Sequence, residues 1–177
     1  VSLTTTLNSS FGNGITVDNV GFILNNEMDD FSSKPGVPNM YGLVGNEANA
    51  IEPGKRMLSS MTPTIIENKD GNLFMVLGSP GGSTIITTVA QIIMNVIDFN
   101  MSLQEAVESK RFHHQWLPDV IQIERNSIAN EVIEGLTSMG HEYRYRSSIG
   151  EANCIMVNNK LFLGASDSRR GAVAAGY

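Results

Sequence analysis

The chain has 177 residues, a formal net charge of −6, and 41% hydrophobic and 17% charged residues. This composition is typical of a single folded domain and excludes a disordered chain. The acidic balance argues against a surface for nucleic acid or an anionic membrane, and no run of about 18 apolar residues predicts a membrane helix. The single cysteine, Cys154, excludes an internal disulfide and leaves the cellular compartment open.

The N-terminal part, residues 1–24, predicts extended structure. The stretch from Val1 to Leu7 alternates and is rich in β-branched residues, which is typical of a strand, and the short runs GITV and GFIL follow. A chain that opens inside a predicted strand looks like a fragment or a processed piece. Residues 25–61 are instead rich in Gly, Pro, Asn and Ser. Loops of this length are usually either functional or disordered, and we favour function, with residues 32–58 as a lid or substrate loop.

A regular pattern begins at residue 62. The runs PTIIE and LFMVL predict two strands, and Asp70-Gly71 between them predicts a tight hairpin turn. The run TIITTVAQIIMNVIDF has the β-branched content of a strand but the length of a helix. We favour a helix buried between layers, with one apolar face made by Ile85, Val89, Ile92, Ile93 and Val96.

The remaining elements alternate less regularly. Ser102 and Glu105 match a capping box that opens a second helix, and residues 129–139 predict a third helix ended by Gly140. Strands are predicted for VIQIE, HEYRYR, NCIMV and KLFLGAS, the last two joined across Asn158-Asn159. This order of strands, helices and strands indicates a layered α/β or α+β fold.

The stretch LGSPGGSTII, residues 77–86, joins a predicted strand to a predicted helix. It lacks the lysine of a phosphate-binding P-loop, since Ser83-Thr84 follow the glycines, and its glycine spacing does not match a dinucleotide fingerprint. The adjacent N–H groups of Gly81 and Gly82 could stabilise a developing oxyanion. Spacing alone favours the other interpretation, a tight connection that needs positive φ.

Three polar groups are further candidates for chemistry. Ser59 and Ser60 could be nucleophiles, hydroxyls that bind a ligand, or turn residues. The carboxylates of NNEMDDF could act in acid/base catalysis, bind a cation or an ammonium group, or form a solvated loop. His113-His114 is a poor chelate because adjacent histidines point in different directions, and His141 is an isolated surface residue. We therefore predict no metal site and no cofactor.

Five segments together resemble the small subunit of the γ-glutamyltranspeptidase family, in its bacterial form, over essentially the whole chain. They are NNEMDDFSSKPGVPNMYGLVG, LSSMTPTI, GSPGGSTIITTV, RFHHQWLPD and GASDSRRGAVAAGY. The resemblance implies an α+β fold of the N-terminal nucleophile hydrolase type, a four-layer αββα sandwich. Residues 1–177 would then form one domain, the small-subunit part.

The resemblance also implies an activity. In this family a precursor cuts itself, and the new N-terminal threonine attacks the γ-glutamyl amide of glutathione or a related compound. The γ-glutamyl ester passes to water or to amino acids and peptides, without a cofactor. The implied partners are a large subunit and these small molecules, not nucleic acid, and the implied location is periplasmic or secreted.

Residue roles follow from the resemblance at matching positions. It implies that Thr6 supports the nucleophile, that Tyr41 is a lid residue, and that Gly81 and Gly82 form the oxyanion hole. The remaining residues would bind the glutamyl group: Asn8, Glu27 and Asp30 at the α-ammonium end, Ser59 and Ser60 at the α-carboxylate.

The sequence also departs from the family. The family's threonine would lie before Val1, so we expect a chain that lacks its first residues and is inactive alone. Asp167-Ser168-Arg169 replaces an Asp-Pro-Arg sequence, which predicts a looser turn. Without a second subunit we also expect exposed apolar faces at Phe22, Ile23, Phe74 and the helix near 85–97, and self-association.

Two alternatives remain open. One is a glutaryl or cephalosporin acylase of the same fold, against which the acidic residues argue because a glutaryl side chain has no α-ammonium group. The other is a non-catalytic binding relative that keeps the pocket without the nucleophile.

Overall fold

The computed structural model describes residues 1–176, which divide into two compact units. Unit 1 contains residues 1–4 and 61–176, and unit 2 contains Thr5–Ser60. The interpretation of the chain as one domain stays a prediction.

Within residues 1–176, the β-strands and α-helices all belong to unit 1. Its strands are β1 (Thr64–Glu67), β2 (Leu73–Gly78), β3 (Phe112–His113), β4 (Ile121–Glu124), β5 (Tyr143–Arg146), β6 (Asn153–Asn158) and β7 (Leu161–Ser166). Its helices are α1 (Ile85–Ile97), α2 (Leu103–Glu108) and α3 (Asn130–Ser138). An antiparallel sheet has the order β1-β2-β6-β7, and a second sheet has the order β3-β4-β5 with β4 and β5 parallel. The predicted α+β class is confirmed.

Two tight turns fix the register of the antiparallel sheet. Between β1 and β2, Asn68 donates its N–H to the carbonyl of Asn72 at 2.8 Å, and Gly71 has a φ of +76°. Between β6 and β7, Asn159 and Lys160 both have positive φ, 48° and 71°, as a primed two-residue hairpin turn requires. Both predicted hairpins are confirmed, the second one residue later than the sequence indicated.

The antiparallel sheet is apolar on both faces. One face packs on α1 and α2 and supplies buried residues of the core: Met75, Leu77, Cys154 and Ala165. The opposite face includes Ile65, Ile155 and Phe162, which are 56%, 47% and 73% exposed in this chain. Strands that are apolar on both faces are typical of a sheet buried between two layers. Of the residues expected to be exposed, Phe22 and part of α1 are exposed, whereas Ile23 and Phe74 are half-buried; self-association stays a prediction.

The three predicted helices are confirmed, and local signals set their ends. The buried face of α1 contains Ile85, Thr88, Val89, Ile92 and Val96. At the start of α2, Glu105 accepts the N–H of Ser102 at 2.9 Å, which completes the predicted capping box. After α3, Gly140 has a φ of +93° and His141 donates its N–H to the carbonyl of Leu136, so this helix ends as predicted.

The predicted strand at residues 1–7 is wrong. Alternation shows which side chains share a face, but a strand also needs a neighbour for its N–H and C=O groups. Among the described residues no strand pairs with this segment, and Ser2 instead donates its hydroxyl to the carbonyl of Leu77 at 3.2 Å. The runs GITV and GFIL form only one isolated bridge, Thr16 to Ile23.

Unit 2 is built mostly from turns. It contains two short 3₁₀ helices, Glu27–Asp30 and Glu47–Asn49, and isolated bridges that join Ser32 to Ala50 and Pro38 to Val44. Phe31 and Ser32 are buried. The segment 32–58 thus has defined local contacts, and its role as a lid stays a prediction.

Candidate active site

The glycine loop follows β2 and precedes α1. Gly81 has a φ of +141° and Gly82 a φ of +57°. A Cβ atom at Gly81 would lie 2.4 Å from Oγ1 of Thr84, so only glycine fits there without a shift. Gly81 is exposed, and its N–H has no hydrogen-bond acceptor within residues 1–176. This N–H can therefore bind an oxygen of a ligand.

The rest of the loop is held by hydrogen bonds. Thr84 donates both its N–H and its hydroxyl to the carbonyl of Gly81, at 3.1 and 2.9 Å. Ser79, which is buried, donates to the carbonyl of Pro80 and accepts the N–H of Glu151 at 2.9 Å. These bonds occupy the carbonyl oxygens of Pro80 and Gly81 and leave the Gly81 N–H open. The loop therefore presents a hydrogen-bond donor, as an anion requires.

The carboxyl groups of Glu27 and Asp30 lie together in unit 2. They occupy the first and fourth positions of a 3₁₀ helix, and side chains three residues apart eclipse in this geometry. Burial raises the pKa of both groups, and the charge of Asp30 raises the pKa of Glu27 further. An ammonium group placed against the pair would favour both ionised forms.

Tyr41 and Asn8 form a second group in unit 2. The Tyr41 hydroxyl lies 3.0 Å from the carbonyl oxygen of Asn8 and 2.9 Å from its Oδ1. Asn8 has a φ of +70° and donates its N–H to Oγ1 of Thr6 at 2.8 Å. Burial raises the pKa of Tyr41, and the charge of Asp30 adds to this effect. The structure thus brings Thr6, Asn8 and Tyr41 together beside the acidic pair.

A pocket of about 250 Å³ in unit 2 is lined by Asp30 and Ser60. Ser60 is half-buried, whereas Ser59 is exposed and is not among the residues that line this pocket. A carboxylate and a hydroxyl on one pocket can bind groups of opposite charge. The functional roles of all these residues stay predictions.

Unit 1 contains a buried network of ion pairs that no pattern in the sequence indicates. Arg111 contacts Asp167 at 2.8 Å, and Arg169 contacts both Asp167 at 2.9 Å and Glu124 at 2.7 Å. Glu124 also accepts the N–H of Ile149 at 2.7 Å. Asp167 is fully buried and accepts the N–H of Arg169 at 3.0 Å, so these bonds hold the turn; that it is looser than an Asp-Pro-Arg turn stays a prediction.

The network favours ionised carboxylates. Burial by itself would raise the pKa of Glu124 and Asp167. Hydrogen bonds from Arg169 and from backbone N–H groups outweigh burial and lower both pKa values below their usual range.

The two adjacent histidines point to different surroundings. His113 is buried, while His114 is exposed and contacts Asp119 at 3.0 Å. Within residues 1–176 no group of three or more His, Cys, Asp or Glu side chains could hold a metal ion. The absence of a metal and of a cofactor stays a prediction.

No helix in the described part of the chain is both long and apolar enough to span a membrane.

A family model described as gamma-glutamyltranspeptidase matches residues 1–177. This chain belongs to the γ-glutamyltranspeptidase family. A curated relative, the glutathione hydrolase proenzyme of Escherichia coli strain K12, is 49% identical over 180 residues. That alignment covers 100% of this chain but only 30% of the relative, so the chain spans less than a third of that protein.

Solved structures agree with this assignment. A highly active mutant of the γ-glutamyltranspeptidase from Pseudomonas nitroreducens superposes with a TM-score of 0.93 at 48% identity, covering 100% of this chain and 92% of that one. A cephalosporin acylase from Bacillus halodurans gives a TM-score of 0.76 at 23% identity, covering 94% of this chain and 30% of that one, and shows a shared fold alone. The γ-glutamyltranspeptidase chain therefore has the predicted N-terminal nucleophile hydrolase fold.

Proposed function

We propose that the protein carrying this chain is a γ-glutamyl transferase and hydrolase. It cleaves the γ-glutamyl amide of glutathione and related compounds through a threonine ester, and passes the γ-glutamyl group to water or to an amino acid or peptide. The relatives are proenzymes much longer than this chain. We propose that the attacking threonine, a carboxylate-binding arginine and a large subunit come from the rest of such a protein.

The acidic pair of Glu27 and Asp30 is the observation that carries this proposal. A γ-glutamyl group ends in an α-ammonium and an α-carboxylate. Two half-buried carboxyl groups with raised pKa values form an electrostatic site for the ammonium. Ser60, on the same pocket as Asp30, supplies a hydroxyl for the carboxylate, and Ser59 beside it is proposed to assist.

The glycine loop supports the chemical step. Attack of a hydroxyl on an amide carbonyl places a negative charge on the carbonyl oxygen. Gly81 and Gly82 are proposed to donate their N–H groups to that oxygen, and the open Gly81 N–H fits this role. Thr6 is proposed to support the nucleophile, with Asn8 and Tyr41 closing over the glutamyl group.

An assay of the full-length protein with γ-glutamyl-p-nitroanilide, with and without a dipeptide acceptor, tests the proposal. We expect release of nitroaniline that rises with acceptor, and no turnover by the 177-residue chain alone. Asp30→Asn should raise KM at least about 10-fold because the ammonium loses an ionised partner. Asp18→Asn, an exposed change in the same unit, is the matched control. No turnover by the full-length protein would contradict the enzyme and favour a binding relative.

The acylase alternative makes a different prediction. A glutaryl amide lacks the α-ammonium group, so the acidic pair would repel its nearby carboxylate. We expect the γ-glutamyl amide to be hydrolysed faster than the matched glutaryl amide, and Asp30→Asn to reduce that preference. A faster reaction with the glutaryl amide would instead support an acylase.

We also propose a periplasmic or secreted location, because the chain resembles bacterial members of the family. Fractionation of the source cells tests this. Recovery of the protein with cytoplasmic markers would contradict it.

A further inference from the structure

His113 has a hydrogen-bonding partner on each ring nitrogen although its side chain is only 2% exposed. Its Nδ1 lies 2.8 Å from Oγ1 of Thr87 on α1, and its Nε2 lies 2.9 Å from Oε1 of Gln115. The same Oε1 accepts the hydroxyl of Ser83 at 2.8 Å. The imidazole is thus linked through Gln115 to the residue that directly follows Gly82.

The surroundings decide which nitrogen of His113 carries the proton. The Nε2 of Gln115 donates to the carbonyl of Leu117 at 3.1 Å, so its Oε1 faces His113 and Ser83. An oxygen acceptor at this place requires an N–H on Nε2 of the imidazole. Burial lowers the pKa of His113 despite the contact with Gln115, which favours the neutral ring. The Thr87 hydroxyl lies 2.8 Å from Nδ1 and 3.1 Å from the carbonyl oxygen of Thr84, and with this tautomer it donates to the nearer Nδ1.

The backbone of β3 does not depend on this imidazole. Gln91 on α1 donates its Nε2 to the carbonyl of Phe112 at 2.8 Å and accepts the Phe112 N–H at 3.2 Å. These two bonds join β3 to α1 beside His113. Loss of the imidazole would therefore release Gln115 and Ser83 while β3 stays attached.

We infer that His113 is a positioning residue for the oxyanion loop, acting through Gln115 and Ser83. The inference rests on the proposed function, since it assigns a support to the same glycine loop. Ser83 is the middle residue of the short helix Gly82–Thr84, so an anchored Ser83 hydroxyl fixes the direction of the neighbouring N–H groups. Donors to an oxyanion act through placement to within a fraction of an ångström, and a loose support lowers kcat rather than substrate affinity.

Two substitutions at His113 separate its two contacts. A glutamine side chain reaches the position of Nε2 and can still donate to Gln115, whereas asparagine reaches only the position of Nδ1. In the full-length protein, with active sites counted by burst titration, we expect His113→Asn to lower kcat roughly 10-fold and to leave KM for γ-glutamyl-p-nitroanilide within about 2-fold. His113→Gln should recover most of this loss. His114→Asn, at the exposed neighbour, is the matched control and should leave both constants unchanged.

Ser83→Ala removes one oxygen from the other end of the same chain of bonds and keeps the test valid when the His113 variants fold poorly. We expect a similar fall in kcat, and no further fall when His113→Asn is added, because the two residues act through one contact. An unchanged kcat in Ser83→Ala, or losses that multiply in the double variant, would overturn the inference. If the unsubstituted full-length protein shows no γ-glutamyl turnover, the proposed function itself has failed.

Discussion

The guanidinium of Arg111 lies 2.8 Å from the carboxylate of Asp167, and both side chains are almost completely excluded from solvent. Arg111 precedes β3 and Asp167 follows β7, so one ion pair joins two parts of the chain that are far apart in sequence. Arg111 also donates to the carbonyl of Ile149 at 2.8 Å. The next residue is Gly150, and its Cα lies 3.5 Å from the position that a Cβ atom would take at Gly81. The pair therefore supports the segment that packs against the glycine loop.

Removal of one partner of this pair should strongly destabilise the protein. Asp167→Ala leaves the guanidinium of Arg111 buried without its counter-charge, and we expect the free energy of unfolding to fall by about 3–5 kcal/mol. Denaturant unfolding of the full-length protein measures this. Glu52→Ala breaks an exposed pair with Lys55 and should cost less than about 1 kcal/mol. Equal losses for the two variants would contradict the prediction.

The same network predicts a loss of stability in acid. The pKa values of Glu124 and Asp167 are lower in the folded state than in the unfolded state. The two ionised carboxylates therefore stabilise the fold fully at pH values above their pKa in the unfolded state, which is about 4. This stabilisation is lost as the pH falls through their lower pKa values in the folded state. Unfolding at several pH values below about 5 should show a steeper decline for the unsubstituted protein than for Asp167→Asn. Parallel declines would show that the network does not set the acid limit.

Gly81→Ala tests the geometry of the glycine loop. The added Cβ atom would meet Oγ1 of Thr84 at 2.4 Å, at a φ of +141° that side chains rarely adopt, so the loop must shift. We expect kcat for γ-glutamyl-p-nitroanilide to fall on the order of 100-fold. Gly71→Ala is a matched control, because Gly71 also has positive φ but no atom lies near its added Cβ. That variant should lose about 1 kcal/mol of stability and keep its kcat.

The acidic pair predicts how substrate affinity depends on pH. Binding of an α-ammonium requires ionised carboxylates, and the pKa values of Glu27 and Asp30 are raised. As the pH is lowered from about 8 to 4, KM for the γ-glutamyl donor should therefore rise. The rise should begin at a higher pH than it would if the two carboxyl groups had their ordinary pKa values. Asp30→Asn should move the remaining rise to lower pH, because the charge of Asp30 no longer raises the pKa of Glu27. A KM that is flat across this range would count against an ammonium site here.

The isolated 177-residue chain should self-associate. Ile155 and Phe162 lie on the apolar face of the antiparallel sheet opposite to α1 and α2, and they are 47% and 73% exposed in this chain. Light scattering should show species larger than a monomer, and Phe162→Glu should reduce them. Phe99→Glu, at an exposed phenylalanine after α1, is the control. A monomer at all concentrations would refute this prediction.

Local rules in the sequence were enough for most elements of unit 1. The Asp70-Gly71 turn, the capping box of Ser102 and Glu105 and the stop at Gly140 each depend on atoms within a few residues, so they are readable without the fold. The same local rules were wrong for residues 1–7, because alternation cannot supply the partner that a strand requires. For the candidate site, the motifs gave residue identities, and the resemblance gave their expected roles.

Only the tertiary structure decided which distant charges meet. The sequence has 12 basic and 18 acidic residues, and nothing in their spacing selects Arg111 and Asp167 from the possible pairs. Likewise, nothing local connects Ser83 to His113, although one glutamine joins them. Hydrogen-bonded turns and caps form over a few residues of backbone, so the sequence by itself determines them. Ion pairs and side-chain networks depend on where the packed sheet and helices place remote residues, and only the fold fixes those positions.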